Sequence, residues 1–482
     1  MIDIRPVGYV TGWLTAALGA SMLLPLAADL LLHEKGQPVF ATSAMLTLVV
    51  GVAAFLACGK PASRKLSIQQ SFLLAGGIWI VFPFFGALPF MFGEPYAGFT
   101  DAFFEAMSAL TTTGATVFTG LEHLPPGTLL WRGMMQWFGG LGILVVAMVF
   151  LPTLRVGGMQ LFRSEGFDTL GKVLPKATQI ALSLAWIYVA LTVLCVVGYR
   201  MTGLGGFDAL VHALTTVSTG GMANYDASFA AFGAGAQYVA VLFMILGSLP
   251  FARYIQIVHG TARPLLHDPQ VRAFLLIVAA FALTLAAWLT LTRPGPLETA
   301  FRESLFNVVS IITGTGYASA DYNAWGPFAM SMFFVVGLIG GCSGSTSCSV
   351  KVFRYQILLS AIRAETRNLD DANRVQNPRY AGRPIDDETM NSVMAFFLFF
   401  YLAIAVLAVA LLLVGLSPIT AISGAATAIA NVGPGLGPEI GPAGNFQGLN
   451  DPAKWLLSFG MLLGRLELLS ILVLFNPAFW RA

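Results

Sequence analysis

Four short stretches set glycine beside hydroxyl or amide side chains: Thr111-Thr112-Thr113-Gly114, Val217-Ser218-Thr219-Gly220, Thr313-Gly314-Thr315-Gly316 and Ala430-Asn431-Val432-Gly433. A monovalent cation entering a membrane must exchange its water shell for oxygen ligands of similar number and field strength. Backbone carbonyls supply these without a net charge that would trap the ion. Aiming consecutive carbonyls at one axis takes backbone angles that L-residues disfavour and glycine reaches freely. Thr112, Thr113 and Gly114, with Ser218, Thr219 and Gly220, Thr315 and Gly316, and Asn431, Val432 and Gly433, are therefore candidate ligands of a cation filter. One Thr-Gly pair is a weak signal, because glycine also allows close packing of membrane helices. Four at matched positions, about 100 residues apart, weigh against four unrelated turns.

A second run, Gly340-Gly341-Cys342-Ser343-Gly344-Ser345-Thr346-Ser347-Cys348-Ser349, contains no large side chain. Helix propensity is poor throughout, and at membrane depth its polar groups need neighbours or water. The expectation is a mobile segment lying, by sequence order, beneath the four loops. Gly340, Gly341, Cys342, Ser343, Gly344, Ser345, Thr346 and Ser347 are thus candidate gate residues, and Lys351 just beyond would neutralise or repel an ion there. A phosphate-cradling loop is the competing reading, but a preceding strand and the Gly-Lys-Thr/Ser signature are missing. Cys342 and Cys348 have no other clustered metal ligands beside them. Arg465, in Gly464-Arg465-Leu466-Glu467, stands inside an apolar run, where a charge needs a polar interior or a partner. Two readings stay open: Arg465 and Glu467 each pair with another helix, or Arg465 projects into an ion path and limits flow.

These groups need a scaffold, and composition says which kind. Of 482 residues 56% are hydrophobic and 10% charged, against about 25% charged in soluble domains. The chain reads as a membrane protein. Apolar runs near the ~20 residues that cross hydrocarbon fall at about 7–32, 38–58, 70–92, 129–151, 176–199, 237–257, 274–291, 328–339 with a continuation, 393–416 and 455–475. Half-length helical runs at 101–110, 207–214, 301–310 and 418–429 precede the four loops. Irregular backbone after such a helix is permitted at membrane depth only where it is buried in protein or lines a water-filled path. With their C-termini aimed at one axis, the short helices would add the negative ends of their dipoles. The fold expected is all-α and integral to the membrane: an N-terminal two-helix hairpin over 1–69, then four pseudo-fourfold repeats of helix, pore helix, filter loop and helix over 70–171, 172–269, 270–389 and 390–482, with about ten transmembrane helices in all.

The net charge of +2 is uninformative in sum. Placing the N-terminus in the cytoplasm puts most Lys and Arg on that side, among them Lys60, Arg64, Arg155, Arg253 and Arg363, as the positive-inside bias requires. The outer segments lean acidic, with Glu94, Asp101, Glu105, Glu122, Asp208 and Asp226. They either concentrate cations at an entrance or are ordinary solvated loops. Asp29, near the outer end of the hairpin, is within reach of headgroups and carries no functional weight. The basic linkers 155–176 and 253–272 and the polar segment 354–388, helical at 361–371, build a cytosolic face for anionic lipid or a docking partner. Four cysteines imply no disulfide framework, and the first apolar run reads as retained rather than cleaved.

The runs Leu110-Thr111-Thr112-Thr113-Gly114-Ala115-Thr116, Trp137-Phe138-Gly139-Gly140-Leu141-Gly142, Thr216-Val217-Ser218-Thr219-Gly220-Gly221 and Ala430-Asn431-Val432-Gly433-Pro434-Gly435-Leu436-Gly437 resemble the Trk/Ktr/HKT superfamily of potassium transporters, over essentially the whole chain. The extra N-terminal hairpin favours the Trk branch, the membrane subunits of bacterial Trk potassium-uptake systems. The resemblance implies filter glycines at Gly114, Gly220, Gly316 and Gly433, and a glycine in all four loops resembles the potassium-selective members. In the plant relatives, serine in the first loop goes with sodium transport. Gly314 beside Gly316 is a local departure that leaves the third register open. The resemblance further implies an intramembrane loop obstructing the pore beneath the filter, an arginine matching Arg465 and a homodimer in the bacterial inner membrane. It also implies a cytosolic ring of nucleotide-binding regulatory subunits of the TrkA type, docked around 253–272 and 354–383. The chain has no nucleotide-binding fingerprint of its own. Potassium uptake is the function expected; sodium transport and proton- or sodium-coupled symport are rivals within transport. An intramembrane enzyme or receptor scaffold is the rival of another class. Against an enzyme stand five scattered histidines and the lack of a His-Glu-x-x-His motif or a paired Ser or Asp site.

Overall fold

A computed structural model describes residues 3–32, 38–59, 66–146, 177–370, 378–466, 473 and 477–481. The return expected to be cytoplasmic at 60–65, the whole linker 155–176 and Glu467 lie outside the described residues.

Uninterrupted apolar runs fold as helices because a helix satisfies its own backbone where water is absent. Among the described residues six are long and apolar enough to cross a membrane: Arg5–Leu31, Val39–Cys58, Ile68–Phe92, Thr178–Met201, Pro269–Thr292 and Asp387–Leu413. Leu276, Leu291, Leu398 and Leu413 lie exposed on two of them, as suits helices whose solvent is lipid. Local signals set several starts. Ser67 and Gln70 form a reciprocal capping box, and Asp268 accepts the Gln270 N–H at the head of Pro269–Thr292.

One expected span is corrected. The run 237–257 is not one helix: Ala234–Ser248 and Phe251–Val258 meet at 92°. Pro250 lacks an N–H and drives Leu249 to φ −84°, ψ 157°, out of helical geometry. The run at 328–339 is the 11-residue helix Pro327–Gly337, interrupted at 340–349 as its small residues suggest, and the next helix, Val352–Asp370, contains most of the helix expected at 361–371. Strands Arg379–Tyr380 and Arg383–Pro384 pair antiparallel, and Ile339 bridges Val350, small departures from an all-α chain. Asp29 is also corrected. It is buried and accepts the Gly127 N–H in the first turn of helix Pro126–Val145, acting as a cap on a neighbour.

The four half-length helices are Phe99–Leu110, Gly206–Val217, Leu297–Ile312 and Pro418–Ala430. The second runs three residues past its expected stop at 214, with the Thr215 hydroxyl bonding back to Val211 O at 3.1 Å. Asp101, Asp208 and Glu298 stand in the first turns of the first three, where the helix dipole favours a negative charge.

Candidate functional site

All four short helices stop in the same way. The carbonyls of Ser108, Thr215, Ser310 and Thr427 accept the backbone N–H groups of Thr113, Gly220, Thr315 and Val432 at 2.9, 2.9, 2.9 and 3.1 Å. The residues just before these donors, Thr112, Thr219, Gly314 and Asn431, lie at φ +53°, +51°, +75° and +50°. The residues just after, Gly114, Gly221, Gly316 and Gly433, lie at +84°, +79°, +82° and +103°. By this register Gly221, rather than Gly220, occupies the backbone position of Gly114, Gly316 and Gly433. Gly220 stands where Thr113, Thr315 and Val432 stand. The register also settles Gly314, which takes the left-handed position held elsewhere by Thr or Asn. For Thr112 and Thr219 that conformation costs about 1–3 kcal/mol each, held by the surroundings.

The four loops then touch in a closed ring. A Cβ on Gly114 would collide with the Gly220 carbonyl oxygen, one on Gly221 with Thr315 O, and one on Gly316 with Val432 O; one on Gly433 would lie 2.6 Å from Thr113 O. First meets second, second meets third, third meets fourth and fourth meets first. Glycine is required here twice over, by positive φ and by the neighbouring carbonyl. On one side of the ring Gly114, Gly221, Gly316 and Pro434 line a cavity of about 170 Å³ together with Arg132 and Asp226. On the other side Asn431, Cys348, Ser345, Lys351 and Arg465 line one of about 40 Å³.

Side chains brace the loops from behind. Thr111 and Thr113 hydroxyls lie 2.8 Å apart, Thr313 and Thr315 hydroxyls 2.7 Å apart, and Asn431 Nδ2 donates to Thr113 Oγ1 at 2.9 Å. Thr215 and Thr216 both reach the Tyr317 hydroxyl, joining the second helix to the third loop. Glu105 is not a solvated outer carboxylate: it is fully buried, pairs with Arg132 at 2.8 Å and accepts the Val117 N–H, while Arg132 Nη1 donates to Ala223 O. Gln136, one turn on, donates to Gly220 O at 2.5 Å and accepts the Met222 N–H at 3.0 Å. Sequence reasoning missed Arg132 and Gln136. The available signal was two polar residues at i and i+4 in an apolar run, on one helix face. At the rim of the larger cavity, Glu122 accepts the Asp226 N–H, and backbone N–H groups hold its carboxyl below the usual carboxylate range.

The candidate gate residues come together in a segment hydrogen-bonded to its surroundings. Gly340 N–H donates to Val350 O at 2.8 Å, Cys342 N–H to Ser248 O at 3.0 Å, Thr346 N–H to Gly247 O at 3.1 Å, and Phe251 N–H to Gly344 O at 2.9 Å. Ser343 N–H reaches Gln270 Oε1, and Ser347 Oγ accepts Gly341 N–H, both at 2.9 Å. The bend at Pro250 frees the Gly247 and Ser248 carbonyls, and segment 340–349 takes them up. Lys351 donates to Ser347 O. Arg465 is buried, with Nη1 2.7 Å from Cys348 Sγ, Nη2 3.1 Å from Gly139 O, and its guanidinium 5.6 Å from the Trp79 ring. No carboxylate pairs with it among the described residues, and Cys348 in turn lies 3.5 Å from Thr112 Oγ1.

The TrkH family model, described as a cation transport protein, matches residues 35–482. The Trk system potassium uptake protein TrkI of Halomonas elongata is 43% identical over 99% of this chain and 97% of its own length. The Trk system potassium uptake protein TrkH of Escherichia coli is 33% identical over the full length of both chains. The crystal structure of the potassium transporter TrkH from Vibrio parahaemolyticus superposes with a TM-score of 0.91 at 32% identity, covering 100% of each chain. The similarity spans every loop and segment described above, and it makes the protein a membrane transporter rather than an enzyme: this chain belongs to the TrkH family of cation transport proteins.

Proposed function

We propose that this protein takes up potassium across a bacterial inner membrane, through a filter that one chain builds from four pore repeats. The ring of four glycines, each against the carbonyl of the next loop, carries the reading. Each of the carbonyls of Thr113, Gly220, Thr315 and Val432 abuts a glycine of the adjoining loop, and carbonyls gathered in this way are what replacing a hydration shell demands. Thr112, Gly114, Ser218, Thr219, Gly316, Asn431 and Gly433 belong to the same four loops, with Gly221 added by the backbone register. The potassium uptake named for the relatives supports the choice of ion. Segment 340–349, with Lys351 and Arg465, acts as the gate beneath the filter. The finer architecture proposed is ten spans with the N-terminus in the cytoplasm, two copies of the chain together, and a cytosolic TrkA-type nucleotide-binding ring on the basic face as regulator.

Potassium and sodium flux into liposomes holding the purified chain tests the proposal, with Gly114→Ser alongside. Potassium-selective flux that loses selectivity in the variant is the expected result. Equal potassium and sodium flux from the wild-type protein would overturn it, and flux that needs a proton or sodium gradient would assign symport instead. Failure of a purified regulatory ring to bind the intact membrane protein would remove that partner.

A further inference from the structure

The second loop differs from its neighbours in having no side chain of its own at the ring position. In the first loop the Thr113 hydroxyl is braced by Thr111, in the third Thr315 is braced by Thr313, and in the fourth the Asn431 amide reaches back to Thr113. The second loop offers Ser218 and then Gly220 at the matching positions, so no hydroxyl pair can form. The vacant space is filled from another helix. A Cβ on Gly220 would collide with the Gln136 side-chain amide. That amide donates to Gly220 O at 2.5 Å and accepts Met222 N–H at 3.0 Å, gripping the loop on both sides of Gly221. Gln136 is fully buried, and Gly139 and Gly140 on the same helix pack against Leu110 O and Ser218. The Trp137-Phe138-Gly139-Gly140 stretch thus seats a strut between the first and second loops.

We infer that Gln136 is the positioning residue of the second filter loop, replacing from outside the side-chain brace that Gly220 lacks, and that it thereby sets ion selectivity. The inference rests on the filter reading. Its physical basis is that the Gly220 carbonyl, like those of Thr113, Thr315 and Val432, abuts a glycine of the adjoining loop. It accepts a side-chain N–H from outside its own loop, which fixes its direction and tempers the field it offers an ion. Gly220 lies outside the positive-φ region, and Thr113 and Thr315 stand at the equivalent position, so the backbone there accepts a threonine once Gln136 makes room.

The test is a pair with rescue: Gln136→Ala, Gly220→Thr and the double variant, reconstituted in liposomes and read by the potassium-to-sodium flux ratio. Gln136→Ala loses the brace, and Gly220→Thr collides with the glutamine. Each single variant is expected to lower the ratio about tenfold, the effect of one well-placed hydrogen bond. In the double variant the introduced hydroxyl can meet Ser218 as Thr113 meets Thr111, and most of that loss is expected to be regained. A merely structural role would lower the amount of folded protein and leave the ratio of the remainder alone. A wild-type ratio in Gln136→Ala, or a double variant no better than the singles, overturns the inference. If Gln136→Ala does not fold, recovery of folding and selectivity together in the double supports it, and failure of both to fold overturns it. Gly114→Ser in the same assay separates the two levels: loss of selectivity there with a normal ratio in Gln136→Ala refutes the brace alone, whereas normal ratios in both refute the filter.

Discussion

Replacing Thr346 by Val tests whether segment 340–349 is latched shut. The side chains are nearly isosteric, so the change removes a hydroxyl and little else. That hydroxyl donates to Gly247 O at 2.9 Å, has Val217 O at 3.2 Å as a second acceptor, and receives the Thr219 hydroxyl at 3.3 Å. Compensation limits the damage. Gly247 O keeps the Thr346 N–H at 3.1 Å, and Thr219 keeps Ser218 O at 2.7 Å. The net loss is therefore one good hydrogen bond and part of another, about 1–2 kcal/mol. If the open arrangement lacks these contacts, opening becomes about 5- to 30-fold more favourable. Potassium flux into liposomes from the purified variant, with no regulatory subunit present, should rise by up to that factor. Thermal unfolding in detergent should stay close to wild type. Flux at or below the wild-type value from a folded variant would refute the latch, because the closed segment would then owe nothing to the carbonyls at the Pro250 bend.

Arg465→Ala should likewise raise flux while the chain stays folded, since it removes the contacts to Cys348 and Gly139 without stranding a carboxylate among the described residues; joint loss of fold and flux would favour a structural role. Glu105→Leu leaves Arg132 charged and buried, and should cost about 3–5 kcal/mol in thermal unfolding, whereas Glu105→Leu with Arg132→Met should recover most of it. Gly221→Ala should abolish selective potassium flux, because its φ of +79° and the Thr315 carbonyl both exclude a Cβ; normal flux would return the filter glycine to Gly220. Glu122 has a depressed folded value, so its bond to the Asp226 N–H contributes above the ordinary carboxylate range and is lost as external pH falls through that depressed value. Flux measured against external pH should fall there in wild type and flatten in Glu122→Gln.

Composition and period made the membrane class and the four loops legible, because both follow from local rules: a helix in lipid must be apolar, and left-handed backbone calls for glycine or asparagine. The remainder depends on contacts between residues far apart in the chain. Gly220 and Gly221 are indistinguishable in sequence, and only the carbonyl of Thr215, accepting Gly220 N–H, shows which one turns toward the third loop. The polar, small-residue run at 340–349 reads as mobile because its partners include the two carbonyls freed at Pro250, far away in the chain. Glu105 and Asp29 read as outer carboxylates since sequence gives depth only roughly. Their burial depends on Arg132 and on the Gly127 N–H.

Those distant contacts tie the loops to segment 340–349. The residues forced to positive φ at the helix ends are also the ones the gate segment touches: Thr112 through Cys348 Sγ, Thr219 through the Thr346 hydroxyl, and Gly314 against the Cys348 Cβ, where an added Cβ would lie 3.2 Å away. The fourth, Asn431, is held instead by Thr113 Oγ1 and Met461 O and lines the small cavity beside Arg465. A strained threonine stays left-handed only while its surroundings over-determine it. If segment 340–349 is the gate proposed above, its withdrawal would remove part of that determination from the first three loops, while Asn431 would keep its bonds to Thr113 and Met461. On the proposed function, opening would then relax the filter unevenly, with the fourth loop, held by a side chain that prefers the left-handed region, expected to keep its register.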